Sequence, residues 1–420
     1  MAEPHHVHDH DSGEGLLSVE EARERILSKI QLLQPLELPL TEAYGCVLAQ
    51  EVRVDRDLPE FASSAMDGFA VRSSDVAAAG PSSPVELKIA GRALIGQRPE
   101  GTVGGGEAIR IATGAPIPAG ADAVVPIENC ETEGERVRVF AAVPEGKHVR
   151  PSGEDVRAGE TLVAAGRRLQ APELGLLATA GISHPLVYPR PRVVVLSTGD
   201  ELVSPTQTPG FGQIRDSNAY TLFAALREAG AVPILAGIVR DDADALRETI
   251  LSHLAQADVF VSSGGVSVGE RDVVKAAFDR RSELGFFKVA MQPGMPQGFG
   301  DIEGKPYFGL PGNPVSVFVS FEVFIRPALM KMMGRRNLFR PEVPARLEQE
   351  VSGPRGKTQY ARVRVRRVPD GWVATPTGGR GSNLIGTVAR ANGLAMIPPG
   401  TETAPAGSQV RVMLFRSTED

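Results

Sequence analysis

Cysteine is nearly absent from this chain. It has only Cys46 and Cys130, far apart and in no CxxC pair, which excludes a disulfide framework and a thiolate metal site. The two thiols read as buried and inert. Histidine is scarce outside the opening residues: His5, His6, His8 and His10 crowd the start, while His148, His184 and His253 have no metal-ligand spacing. A metal in the body of the protein must then take oxygen ligands, which favours Mg²⁺ over Zn²⁺. No uncharged apolar run approaches the ~18 residues of a membrane span. The opening MAEPHHVHDHDSGEG lacks the basic and apolar regions of a signal peptide, so a cytoplasmic location is expected. Also missing are GxxxxGK[ST], GxSxG, HExxH and a GxGxxG after the first Rossmann-type strand, which counts against P-loop, hydrolase, zincin and dinucleotide-enzyme chemistry. With aromatics at 5% and a net charge of −6, a nucleic-acid groove is unsupported.

What is present is length and rhythm. A chain of 420 residues, 42% hydrophobic and 23% charged, suits about three globular domains. Its charge is uneven: residues 334–420 hold 14 Lys and Arg against 7 Asp and Glu. A basic C-terminal module beside an acidic body either grips an anionic ligand with its Mg²⁺ or is an ordinary solvated strand face. Apolar residues recur at helical spacing from Leu17 to Leu33, with Ser18 as N-cap and Glu20 and Glu21 in the first turn. Short β-like runs follow to about Arg150, and a helix is expected near Pro172. From Pro191 strand, loop and helix repeat. VVVLS, VPILAGIV, DVFVSS and KPYFGL each precede a helical pattern, which predicts βαβ units in a largely parallel sheet. The last 80 or so residues return to short strands, as in a small barrel or sandwich.

Ligands of such sheets bind outside the carboxyl ends of the strands, and here each strand ends in a polar or glycine-rich loop. The first carries Ser197, Thr198, Gly199 and Glu201, and the second carries Asp241. The third, SSGGVSVGERD, contains Ser262, Ser263, Gly264, Gly265, Ser267 and Asp272. The last, PGNP, is Pro311, Gly312, Asn313 and Pro314, with Asn313 placed as N-cap and Pro314 as the first helical residue. Glycines allow close backbone approach, and successive N–H groups with serine hydroxyls cradle an anion. The same glycines also occur for steric reasons alone. Glu201, Asp241 and Asp272 form an oxygen set suited to Mg²⁺ beside phosphates, although Asp241 precedes a helix and would serve equally as its cap.

Together SAMDGFAVR, ATGAPIPAGADAVVPIE, RPSGEDV, VVVLSTGDELV, DSNAY, SSGGVSVGERD and GLPGNPVSVFVSFEVFIRP resemble the molybdopterin molybdenumtransferase family, MoeA and the E domain of gephyrin. The resemblance implies a multi-domain α/β protein. After a disordered His-rich leader (1–15) come a split N-terminal α/β domain (16–45 and 150–190), an inserted β domain (46–149), a doubly wound MogA-like molybdopterin-binding domain (191–334) and a C-terminal β-barrel-like domain (335–420). It implies a homodimer with its site at the subunit interface, and possible MogA-type or molybdoenzyme partners. The implied activity is Mg²⁺-dependent insertion of molybdate into adenylated molybdopterin with release of AMP. By position in the family's motifs, Glu201, Asp241 and Asp272 handle metal and substrate. Asp67 and Thr113 reach the site across the dimer, Lys288 is catalytic, and Asp155, Arg362 and Ser382 bind substrate. Arg362, Arg364 and Arg366 alternate and so share one strand face.

One stretch departs from the family's pattern. Where the family commonly reads K-x-A-x-K-P-G-K-P, this chain has KVAMQPGMP, keeping Lys288 but placing Gln292 and Met295 where lysines stand. Loss of two cations beside an oxyanion and a pyrophosphate removes charge-assisted contacts. The alternative to a working transferase is accordingly a catalytically weak paralogue that binds molybdopterin or finished cofactor and delivers it to a partner enzyme.

Overall fold

The computed structural model describes residues 15–265, 276–277 and 284–418. The chain divides into two compact units, one of residues up to Glu37 with Gly45–Ala49 and Leu186 onward, the other of Leu38–Tyr44 with Gln50–Pro185. No helix among the described residues is long and apolar enough to cross a membrane.

The larger unit is built on a six-stranded sheet. Its elements are α1 (Val19–Lys29), β1 (Arg192–Thr198), α2 (Asn218–Ala229), β2 (Val232–Val239), α3 (Ala243–His253), β3 (Val259–Ser263), β4 (Gly285–Lys288), β5 (Pro296–Ile302), β6 (Lys305–Leu310) and α4 (Pro314–Ser320). The order across the sheet is β2-β1-β3-β6-β5-β4. The first four strands are parallel, and β5 runs antiparallel to both β6 and β4. The central parallel strands β1 and β3 are apolar on both faces because helices cover both, and Val193, Val194, Val195, Val259, Phe260 and Val261 are completely buried, whereas the edge strand β2 leaves Val232, Leu235 and Ile238 exposed. Beyond α4 the helical path continues through a π-turn (Phe321–Ile325) into Arg326–Met332. Helix α1 starts on a capping box between Ser18 and Glu21, as the sequence predicts. Its buried face, Val19, Ala22 and Ile26, joins the core formed by β1, α2 and the helical stretch from α4 to Met332. This residue stretch, assigned from the resemblance to a split N-terminal domain, thus buries its apolar stripe in the α/β unit.

The same unit ends in a closed five-stranded barrel of β7 (Glu342–Leu347), β8 (Thr358–Val368), β9 (Gly371–Pro376), β10 (Gly393–Ile397) and β11 (Gln409–Leu414). The barrel runs β8-β9-β7-β11-β10 and closes through β8–β10 pairing. A short strand, Met291–Gln292, adds to β8 in parallel, opposite Thr358 and Gln359.

The smaller unit carries its own six-stranded sheet around a core of Phe69, Val71, Leu87, Val125 and Val137, together with a helix at Ala171–Thr179 that has Pro172 in its first turn. Cys130 lies in this unit and Cys46 in the larger one. Neither is in a disulfide, and burial pushes their pKa upward, that of Cys130 to about 11, so neither is poised as a thiolate.

Candidate active site

Chain direction makes the cleft. After β1 the chain crosses to β2 on one side, and after α3 it returns to β3 on the other, so the loops leaving β1 and β3 part at a topological switch point. Ser197 is paired with Ser263, which in turn is paired with Leu310, so the loops after β1, β3 and β6 open at one level. They surround a cleft of about 1060 Å³.

Of the residues singled out from the sequence, Thr198, Gly199, Glu201, Asp241, Ser263, Gly264, Gly265, Gly312, Asn313 and Pro314 line this cleft. Ser197, Ser262 and Pro311 lie beneath it. Ser197 and Ser263 share a hydroxyl hydrogen bond of 3.1 Å, and Ser262 bonds the Tyr307 hydroxyl, so these serines brace the strand ends. Gly264 has a φ of +88°, and a Cβ there would stand 2.4 Å from the Thr198 carbonyl oxygen. The turn therefore requires glycine. Asn313 is the N-cap residue of α4 with Pro314 following, but its side chain makes no capping bond; it belongs to the cleft lining instead.

The acids sort by function. Asp242, not Asp241, caps α3, accepting the Ala245 N–H at 2.8 Å. That leaves Asp241 to the cleft, where its own N–H donates to Asp200 at 3.4 Å. Partial burial first, then the neighbouring carboxylates of Asp200 and Glu201, push the Asp241 pKa upward. Negative charge is thus concentrated at the β1–β2 end of the rim. Among the described residues no three acidic or other ligating side chains form a ready metal cage. Mg²⁺ does not demand one, since it commonly takes one or two carboxylates with water and substrate phosphate. The donor set fits that ion. Ser267 and Asp272 lie outside the described residues.

Several lining residues went unassigned at the level of sequence, including Asp200, Arg215, Asp216 and Asn218. Asn218 donates to the Gly312 carbonyl at 2.7 Å, tying α2 to the PGNP loop. Its Oδ1 and the Thr198 Oγ1 are buried polar atoms with no hydrogen-bond partner among the described residues. Two such atoms on one cleft are open acceptor positions for a ligand. The DSNAY stretch held the signal for Asn218, because Asp216 satisfies the start of α2 by accepting the Ala219 N–H and so frees the amide.

Three of the residues singled out from the sequence, Lys288, Arg362 and Ser382, are outside the cleft lining. Lys288 is exposed and outside the cleft lining. It still ends β4 on the same rim: Lys288 is opposite Pro296, and Gly298 opposite Gly309, so Lys288 is level with the residue after β6. Arg362 shares a strand face with Arg364 and Arg366, but it is only 4% exposed. Its guanidinium donates to Thr387 Oγ1 at 3.0 Å and to the carbonyls of Gly379 and Gly381, and burial lowers its pKa. It holds the loop at 377–387 rather than facing the cleft. Within that loop Ser382 contributes its carbonyl to the Val315 N–H at 3.0 Å, and Asn383 and Ile385 are the residues that line the cleft. Gln292 points to solvent from the strand added to β8, and Lys357 Nζ stands 3.4 Å from Met295 Sδ.

In the smaller unit Asp67 and Thr113 are brought together, Asp67 Oδ1 accepting the Thr113 N–H at 2.7 Å. Gly68 beside them is packed so closely that a Cβ would fall 2.0 Å from the Val125 carbonyl oxygen. Asp155 is exposed, its N–H bonded to Leu58.

Family models match nearly the whole chain: the MoeA N-terminal region (domain I and II) at residues 17–181, a probable molybdopterin binding domain at 194–331, and the MoeA C-terminal region (domain IV) at 344–415. The chain is 41% identical over 403 residues to molybdopterin molybdenumtransferase 2 of Mycobacterium tuberculosis, covering 94% of this chain and 98% of that relative. It is 37% identical to the molybdopterin molybdenumtransferase of a Nostoc species, over 92% of this chain and 91% of the relative. The crystal structure of a molybdopterin biosynthesis MoeA protein from Pyrococcus horikoshii superposes with a TM-score of 0.81 at 33% identity, over 96% of this chain and all of that one.

Proposed function

This chain belongs to the MoeA family, and from that premise we propose that it is a molybdopterin molybdenumtransferase acting in molybdenum cofactor biosynthesis. It takes adenylated molybdopterin and molybdate, breaks the phosphoanhydride and releases AMP. The observation that carries this reading is the juxtaposition, on one rim, of a glycine cradle at Gly264 and Gly312 with the carboxylates of Glu201 and Asp241. A ligand bearing a pyrophosphate needs both: the Gly264 N–H is spent on Leu310, so Gly264 serves close backbone approach while other loop N–H groups bind the oxygens, and an acidic pair binds the accompanying cation.

Glu201 and Asp241 would hold Mg²⁺, with Asp272 as the third acid. When bound, that ion neutralises charge on the pyrophosphate. The chain's own residues orient the substrate: Thr198 Oγ1 and Asn218 offer buried polar contacts, and Asn218 also fixes the PGNP loop. Arg362 is a positioning residue that sets Asn383 and Ile385 against the cleft. Lys288 and Lys357 supply positive charge near the segment where Gln292 and Met295 replace lysines, which supports turnover by this chain. In this reading Asp67 and Thr113 act on the cleft of a second subunit in a cytoplasmic homodimer. The non-catalytic carrier is the weaker reading, because the relatives that match over nearly full length are named as transferases.

Purified protein given adenylated molybdopterin should release AMP in proportion to added molybdate, with chelation of Mg²⁺ stopping release. Correctly folded protein that binds the substrate yet releases no AMP would refute the transferase and leave the carrier.

A further inference from the structure

The segment between the two short strands Leu202–Val203 and Ile214–Arg215 ends in a turn whose purpose the site described above does not account for. Gly210 and Gln213 bond each other twice: the Gln213 N–H donates to the Gly210 carbonyl at 3.1 Å, and the Gly210 N–H donates to the Gln213 side chain at 3.0 Å. Gly212 takes a φ of +79°, which places it at the third position of a type II turn and puts Phe211 at the second. The other shoulder is held as well. Gln207 accepts the Ser204 N–H through its side chain at 3.0 Å, and its carbonyl accepts from Arg215 Nε at 3.2 Å. All this order presents a phenylalanine to water, and its relative exposure is 110%.

A single exposed apolar side chain needs no explanation by itself. Position distinguishes this one. The turn feeds directly into Ile214, which is 57% exposed, lines the cleft, and donates its N–H to the Glu201 carbonyl at 2.8 Å. Leu202, paired with Ile214, lines the cleft too. The floor of the cleft is glycine, carboxylate and amide; Leu202 and Ile214 are an apolar edge of it, as Ile385 is elsewhere, and Phe211 stands outside the lining, three residues before Ile214. A ligand whose phosphates occupy the Gly264 and Gly312 cradle has its remaining ring system to place, and the edge at Leu202 and Ile214 is where a planar apolar face finds a partner.

We infer that Phe211 is a specificity-determining residue that, from the turn next to the Leu202–Ile214 edge, stacks on a planar heteroaromatic ring of a ligand bound in the cleft. The inference rests on the function proposed above. Adenine and pterin share the chemistry it requires, and stacking on an aromatic side chain is tolerant of which ring is offered.

Calorimetric titration of the full chain with AMP, neopterin monophosphate and ribose 5-phosphate, each with Mg²⁺, tests it. Phe211→Ala should weaken AMP or neopterin monophosphate by about fivefold or more while leaving ribose 5-phosphate unchanged, and Phe211→Trp should retain the affinity. Loss confined to one ring identifies the ring that is stacked. Unchanged affinity for both ring ligands in Phe211→Ala overturns the inference alone, as does equal weakening of ribose 5-phosphate. If wild-type protein binds none of the three, the reading of the cleft falls and the inference falls with it.

Discussion

Replacing Gly264 by alanine should separate two costs that glycine normally hides together. The residue has a φ of +88°, and its N–H donates to the Leu310 carbonyl at 3.0 Å, while the absent Cβ would meet the Thr198 carbonyl oxygen at 2.4 Å and Thr198 Oγ1 at 3.0 Å. The turn is held between the ends of β1 and β6, with the Thr198 backbone directly against it. Gly237, in β2, supplies the control: its φ is +94°, but a Cβ there would meet nothing within 4 Å. Gly237→Ala therefore carries only the left-handed backbone penalty, roughly 1–2 kcal/mol. Gly264→Ala carries the same penalty plus the overpacking of a tight site, roughly 1–3 kcal/mol more, for a total of about 2–5 kcal/mol. Urea unfolding followed through Trp372, the chain's only tryptophan and a barrel residue of the same unit, measures both. AMP titration should show affinity lost in Gly264→Ala and kept in Gly237→Ala. If the two variants prove equally stable, the turn is not clamped and its glycine serves no close approach.

Two further outcomes follow from the same cleft. Asp241→Asn removes a carboxylate whose pKa is raised by partial burial and by Asp200 and Glu201. An acid with a raised folded pKa stabilises the fold when protonated, and that stability is lost as pH rises through its folded value. At neutral pH the metal-free variant should therefore melt about 1–3 °C above wild type, discounted for its exposed setting, and should lose the stabilisation that Mg²⁺ gives wild type; a lower melting point would show that Asp241 is a structural acid. Thr198→Val deletes a buried hydroxyl with no partner among the described residues, so stability should stay within about 1 kcal/mol while AMP binds roughly tenfold more weakly. Equal AMP affinity in the variant would leave that hydroxyl without a role in binding.

Much of the α/β unit is legible because its parallel strands read as apolar runs, buried on both faces in β1 and β3, each stopped by a polar loop. What the sequence leaves unread has particular physical causes. The last two strands across the sheet, β5 and the edge strand β4, contain glycine and run antiparallel to each other, so they resemble loops; Gly298 lies against Gly309 where neither has a side chain to show a pattern. Asp241 and Asp242 are adjacent and chemically identical, and only the bond from Ala245 shows which one is spent on the helix. Alternation correctly puts Arg362 on the face of Arg364 and Arg366, yet the loop at 377–387 that covers it is a matter of tertiary packing and has no local signature. Asn383 lines the cleft beside Ser382 for a similar reason, since one residue of rotation decides which faces the cleft and which gives its carbonyl to α4.

Strand order also arranges the chemistry along the rim. Reading β2-β1-β3-β6-β5-β4, the carboxylates of Asp241, Asp200 and Glu201 come first, the glycine turns at Gly264 and Gly312 stand in the middle, and Lys288 closes the far edge. Beyond Lys288 the strand Met291–Gln292 joins the barrel beside Thr358, which brings Lys357 to Met295 although 62 residues separate them in sequence. The acidic body and basic C-terminal module evident in composition thereby become the two ends of one surface. A ligand with a cation at one end and an oxyanion at the other has only one favourable direction on such a rim, since reversing it would set the anion against the carboxylates. The absence of lysine at Gln292 and Met295 weakens that gradient less than the local sequence implies, because the barrel restores a positive charge at the same place.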